Sequence, residues 1–247
     1  LGLSLAAVNA SAVSQQEEVF VRKPSALDKL PDAAKGGTYY TAISNNPKVI
    51  NPLLSNDANS SSLEGFLWAS LFSEDPDSFT PIPYLAESYK ISADRTTYTF
   101  NLNKKARWQD GTPVTTDDVK FTFDTLMDPK TEAAALRSYW EGSSLKVVDK
   151  YTFQFINKAP KFDTFRFFYG FVPIQKKQFA SEKDFNKAKG VMNPMGNGPY
   201  TLASFSRDQS VNFQRVKDWW ALELPHFKNR FNADTVVARI ITDPNLE

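Results

Sequence analysis

Hydrophobic and polar positions change period several times along this chain, and each change marks an element. After Gly36-Gly37, the run Thr38-Tyr39-Tyr40-Thr41-Ala42-Ile43 reads as a strand, broken at Ser44-Asn45-Asn46-Pro47 and again at Asn51-Pro52. Between Ser60 and Phe72 the apolar residues Leu63, Phe66, Leu67 and Leu71 follow helical spacing, and Ser60-Ser61-Ser62 offers an N-cap. Period two takes over at Tyr98, Phe100 and Leu102, which alternate with Thr97, Thr99, Asn101 and Asn103. Tyr89 and Ile91 supply a partner strand through a turn at Ala93-Asp94-Arg95. Trp108-Gln109-Asp110-Gly111-Thr112-Pro113 reads as a tight loop on its Asp-Gly pair. The next helix opens at Thr115-Thr116-Asp117-Asp118, with Asp118 in capping-box register to Thr115, buries Val119, Phe123 and Leu126, and stops at Asp128-Pro129.

A second hairpin joins Leu145 and Val147 to Tyr151, Phe153 and Phe155 around Asp149-Lys150. Residues 161–180 are aromatic and partly helical, with Pro173 as a breaker. Gly196-Asn197-Gly198-Pro199 is a rigid turn that leads into strands at 200–205 and 211–215. Strands mixed with isolated helices predict an α/β fold of mixed α+β character, not a regular parallel βαβ series.

Composition narrows the chemistry. The 29 basic and 28 acidic residues leave a net charge of +1, with no single-signed field to hold nucleic acid or an anionic membrane. No apolar run reaches the ~18 residues of a membrane span, so no stable membrane insertion is expected. Cysteine is absent and His226 is the single histidine, which excludes thiol catalysis, disulfide scaffolds and Cys/His metal clusters. His226 lies in Leu224-Pro225-His226-Phe227, and no nucleophile-elbow motif accompanies it. Gly196-Asn197-Gly198 runs into a strand instead of a helix and cannot cradle a phosphate. Asp117 and Asp118 are neighbours on a helix and do not face each other. Asp75 and Asp77 begin like a calcium loop, but Phe79 and Thr80 stand where a ligand and the glycine belong. The chain is therefore expected to have no catalytic residues, no metal ligands and no cofactor.

The surplus is aromatic: 20 Phe, nine Tyr and five Trp, surface that suits strand faces and ligand-stacking walls. Trp68, Tyr139, Trp140, Tyr169, Trp219 and Trp220 exceed what a small core needs. Tyr139 and Trp140, in polar surroundings after Arg137-Ser138, are the candidates for a ligand wall. At the start of the chain, Ala10-Ser11-Ala12 after a small apolar stretch fits a signal-peptidase site, and residues 1–35 read as a signal-peptide remnant and extended arm.

The run Trp108-Gln109-Asp110-Gly111-Thr112-Pro113-Val114-Thr115-Thr116-Asp117-Asp118-Val119-Lys120-Phe121-Thr122-Phe123 resembles the family 5 extracellular solute-binding proteins of ABC importers, the peptide- and nickel-binding family. Leu85-Ala86-Glu87-Ser88, Asn51-Pro52-Leu53-Leu54, Gly196-Asn197-Gly198-Pro199-Tyr200 and Arg215-Val216-Lys217-Asp218-Trp219-Trp220 belong to the same pattern, in the same order. The segment Asp218 to Pro225 with Asn229-Arg230-Phe231-Asn232 is similar to the clade that handles oligopeptides and peptide antibiotics.

That resemblance implies a periplasmic-binding-protein-like type II lobe carrying an inserted α+β subdomain, with the second lobe missing from a fragment. Residues 36–56 and 193–247 are then expected to form lobe I, incomplete, and 57–192 the inserted subdomain. It further implies a periplasmic or otherwise secreted protein, monomeric when full length. Such a protein captures oligopeptides and delivers them to the permease subunits of an ABC importer for transmembrane transport. The family's first-lobe ligand strand falls on Asn45, Asn46, Pro47, Lys48 and Val49, where an exposed backbone pairs with an extended peptide; Pro47 has no N–H to give. Tyr139 falls where some members place an aromatic against the ligand. A sensing or adhesion module on the same scaffold, or a binder of nickel chelates or sugars, is the alternative.

Overall fold

The computed structural model describes residues 31–75, 79–161, 164–181, 184–190 and 194–242. The expected signal remnant at residues 1–12, and Asp77, lie outside them.

Along the chain, β1 (Thr38–Ile43) is followed by α1 (Ala58–Leu67) and the short hairpin strands β2 (Phe72–Glu74) and β3 (Pro81–Pro83). Strands β4 (Ala86–Ile91) and β5 (Thr97–Leu102) precede helices α2 (Thr116–Met127) and α3 (Ala134–Trp140). Then come β6 (Ser143–Val147), β7 (Thr152–Asn157), and the single-turn helices α4 (Thr164–Phe167) and α5 (Lys176–Phe179). The described chain closes with β8 (Tyr200–Ser206), β9 (Ser210–Arg215) and β10 (Thr235–Ile240).

Two four-stranded sheets organise these elements. In the first, of order β1-β10-β9-β8, β1 runs parallel to β10 and the other pairs are antiparallel. The second, of order β4-β5-β7-β6, is antiparallel throughout. The alternation read from the sequence is the alternation of burial: in β5, Tyr98, Phe100 and Leu102 point inward, and in β7, Phe153, Phe155 and Asn157 do. A strand with one buried face has its register fixed, because a slip of one residue would turn every apolar side chain to water.

The phenylalanines concentrate over this second sheet. Phe100 stacks on Phe153 at 5.3 Å between ring centroids, Phe168 meets Phe100 edge-on at 4.7 Å, and Phe123 of α2 meets Phe155 at 5.5 Å. The buried side chains of both sheets belong to one contiguous core.

Helix α2 begins as its capping box predicts. The Asp118 carboxylate accepts the Thr115 N–H at 3.0 Å, and also the Trp108 Nε1–H at 3.2 Å and the Lys176 N–H at 2.9 Å. Burial raises the pKa of Asp118 and these donors pull it back. Asp110 turns the loop before the helix: burial opposes its ionisation, but donors from Thr112, Lys177 and Gln175 outweigh it and hold the carboxyl well below its usual range.

Helix α1 differs from the sequence reading. Its cap is Asp57, whose carboxylate accepts the Ser60 N–H at 2.9 Å, and the helix ends at Leu67, so Leu71 lies beyond it. An ionised acceptor at the N-cap outcompetes the serine hydroxyls for the orphan N–H groups. Phe66 packs on Tyr200 at 5.6 Å and Phe213 at 5.3 Å, so α1 sits against the first sheet although it falls within the segment 57–192.

The end of α1 is gripped by the 196–199 turn. The Leu67 carbonyl accepts the N–H groups of Asn197 (3.1 Å) and Gly198 (2.8 Å), while Asn197 Oδ1 accepts the Ala69 N–H at 2.8 Å. The Asn197 carbonyl takes both indole N–H groups, from Trp219 at 2.9 Å and Trp220 at 2.8 Å. A Cβ on Gly198 would lie 2.6 Å from the Leu67 carbonyl carbon, which only a backbone shift relieves.

Gly198→Ala is therefore expected to destabilise the fold by about 2–4 kcal/mol. Gly65→Ala, in α1 with nothing within 4 Å of the added carbon, is expected to stabilise it by about 0.5–1 kcal/mol. Urea unfolding of the two variants beside the parent checks the sign of both.

Candidate functional site

A cavity of about 470 Å³ opens beside α1, a size suited to small ligands. Its walls are aromatic, from Trp68, Tyr84, Tyr169, Phe227 and Phe231, with the hydroxyls of Ser55, Ser61, Ser70 and Ser73 between them. Two ionisable side chains, the carboxyl of Glu64 and the guanidinium of Arg230, complete the lining.

Each wall has a local cause. Trp68 follows the last turn of α1 and is fixed by a hydrogen bond from its Nε1 to the Met195 carbonyl at 3.2 Å. Tyr84 is buried, stacked on Trp220 at 5.9 Å and tilted against Phe227 at 4.7 Å. Burial pushes its phenol pKa up, and the positive charge of Arg230 eases it back. Burial, helped by the charge of Glu74, lifts Tyr169 to about 12.

Glu64 sits in the middle of α1 and faces the cavity. Burial pushes its carboxyl up to about 7; the Ser55 hydroxyl and the Asn51 N–H pull it down, and Asp57 adds a smaller upward push. Its Oε1 is sealed from solvent with no hydrogen-bond partner among the described residues. Such an oxygen costs stability when it is charged.

The residues singled out from sequence disperse in the structure. Asn45 is exposed. Asn46 exchanges two hydrogen bonds with Asp208, in the turn between β8 and β9, accepting its N–H at 2.8 Å. Pro47 is buried, and the N–H groups of Lys48 and Val49 both reach Ser60 Oγ, at 3.0 and 3.4 Å. None of the five lines the cavity, which begins at Pro52.

Tyr139 and Trp140 part company. Tyr139 stays 49% exposed and stacks on Phe167 at 4.9 Å, one helical turn from the cavity residue Leu136. Trp140 is corrected from ligand wall to core: it is 5% exposed, stacked on Phe155 at 4.9 Å and packed on Phe168 at 5.4 Å. Of the other surplus aromatics, Trp68 and Tyr169 do reach the cavity, while Trp219 and Trp220 serve the Asn197 carbonyl. Sequence reading missed Glu64, Tyr84 and Arg230, of which only Arg230 lay in a motif. No group of three or more metal-ligating side chains occurs among the described residues, and no described helix is long and apolar enough to cross a membrane.

A profile of the bacterial extracellular solute-binding proteins, family 5 (middle), matches residues 80–246. The chain belongs to that family. It is a family of binding proteins, not enzymes. The protein YejA of Escherichia coli is 29% identical over 185 residues, which is 73% of this chain and 29% of YejA. A probable peptide-binding protein YejA of Agrobacterium fabrum is 26% identical over 221 residues, or 87% of this chain and 36% of that protein. Among solved structures, the ABC transporter substrate-binding protein CtaP of Listeria monocytogenes superposes with a TM-score of 0.75 at 29% identity, over 86% of this chain and 42% of CtaP. The family 5 chain thus spans about a third of the length of the two relatives.

Two outcomes test this site. The folded family 5 chain holds the Glu64 proton up to about pH 7 while the unfolded chain releases it near 4.5, so stability falls as pH rises through that window. Glu64→Gln is expected to stabilise the protein by on the order of 2 kcal/mol at pH 8 and to leave it nearly unchanged at pH 4, read by denaturant titration at both values. Trp140→Ala is expected to cost about 3–5 kcal/mol and Tyr139→Ala less than about 1, measured the same way.

Proposed function

We propose that this protein is the ligand-capturing component of an ABC importer. In this reading it works outside the cytoplasm, binds oligopeptides by closure of two lobes, and hands them to permease subunits. The observation that carries the reading is the cavity beside α1 in a chain of this family: aromatic walls, a row of hydroxyls, a carboxyl and a guanidinium suit a peptide. The probable peptide-binding relative in Agrobacterium supports the ligand class.

Aromatic faces accept many side chains through stacking and apolar contact, which gives affinity without strict sequence preference. The segment Asn45–Val49 is proposed as a ligand-facing edge. Two of its N–H groups are held by Ser60 and Pro47 has none, so its carbonyls are the groups a peptide N–H would meet. Tyr139, exposed at the end of α3, is proposed as a further contact at the mouth.

The test is native mass spectrometry of the protein expressed from its complete reading frame, before and after mild denaturation. A released ladder of short peptides is expected. A ligand-free spectrum that stays unchanged on addition of a mixed peptide pool would remove oligopeptides as the ligand.

A further inference from the structure

Arg230 is held in the cavity wall by an unusual backbone. Its neighbours on both sides, Asn229 (φ 62) and Phe231 (φ 56), are left-handed, a conformation that asparagine tolerates and a bulky aromatic rarely adopts. Strain of this kind persists only where the surroundings enforce it. Here Phe231 is locked edge-on against Trp219 at 5.4 Å and packed on Phe227 at 5.9 Å.

Three acids of the chain are already paired with other cations. Asp32 takes Lys228 at 3.1 Å, Asp234 takes Arg215 at 2.5 Å, and Glu223 takes Lys105 at 2.7 Å. Arg230 has no ion pair among the described residues, yet it stands near enough to Tyr84 for its charge to act on the phenol. A guanidinium offers a planar fork of donors that fits a carboxylate two bonds at a time. Beside aromatic walls, such a pair strengthens as the bound ligand displaces water.

We propose that Arg230 is the receptor for a carboxylate of the bound ligand. Glu64, on the wall formed by α1, gives the cavity a second polar group, a carboxyl that can exchange a hydrogen bond with the ligand and so orient it. A ligand with an anionic end is thereby preferred over its neutral counterpart. The proposal rests on the reading of the protein as a peptide binder.

The experiment uses the protein expressed from its complete reading frame and calorimetric titration with Ala-Ala-Ala, Ala-Phe-Ala and Ala-Ala-Phe-Ala-Ala, each as free acid and as C-terminal amide. Amidation is expected to weaken binding to the parent at least tenfold. In Arg230→Gln the two forms are expected to bind alike, and Arg230→Lys to keep part of the preference, since it keeps the charge without the fork. Equal binding of acid and amide to the parent, or an unchanged preference in Arg230→Gln, overturns the proposal and leaves peptide capture standing. A loss in Arg230→Gln that is the same for acid and amide also overturns it, assigning Arg230 to a contact within the protein. No binding of any form by the parent overturns this proposal and peptide capture together.

Discussion

Backbone meets backbone where the last turn of α1 touches the Gly196–Pro199 turn, and much of the molecule is arranged around that contact. Two N–H groups converge on the Leu67 carbonyl, which the end of a helix would otherwise leave unpaired. The approach is too close for side chains at 196 or 198, where a Cβ would fall 2.1 or 2.6 Å from Leu67 backbone atoms. Asn197, between them, passes the contact on to Ala69 through its side chain and to Trp219 and Trp220 through its carbonyl. Gln109, from the Trp108–Pro113 loop, clasps the same turn by donating its N–H to the Gly196 carbonyl at 2.9 Å and its amide to the Tyr200 carbonyl at 2.7 Å. The loop that makes the family recognisable thus joins the second sheet to the turn that fixes the cavity's α1 wall.

Asp118 and Glu64 show how differently one chemical group is treated. Burial raises both Asp118 and Glu64. Asp118 is surrounded by three N–H donors from three separate segments, so its charge is solvated by the protein. Glu64 leaves one oxygen without a donor among the described residues. The first arrangement is what a structural joint requires, and the second is what a binding surface tolerates at a cost in stability.

Strands were legible because a half-buried strand writes its burial directly into the sequence: every second residue of β5 and β7 is inward and nearly all are apolar. The start of α2 was legible because Thr115 and Asp118 form a local motif whose geometry needs no tertiary information. Helix α1 was placed three residues late, since Ser60 and Asp57 are both good caps and only the local hydrogen bonds decide between them. Trp140 and Tyr139 could not be separated, because adjacent helix positions point about 100° apart and the phase of α3 is set by what packs on it. Glu64 and Arg230 were invisible as a pair: they come from opposite ends of the described chain and meet only in the cavity wall. One signal for Arg230 was available in retrospect, the flanking Asn229, a residue type that accepts the left-handed backbone found there.

The parallel pairing of β1 with β10 carries a consequence for how the chain reaches this state. Thr38 lies opposite Thr235, so the first sheet cannot be completed until nearly all of the described chain has left the ribosome. The second sheet is built from two hairpins that close locally, β4 with β5 and β6 with β7, joined by the pairing of β5 with β7, a shorter span than that from β1 to β10. Closing the longer loop costs more entropy before any contact compensates for it, which orders the two events in time. Until β10 emerges, β1 has no strand partner among the described residues, with Tyr39 and Tyr40 beside an open row of hydrogen-bonding groups.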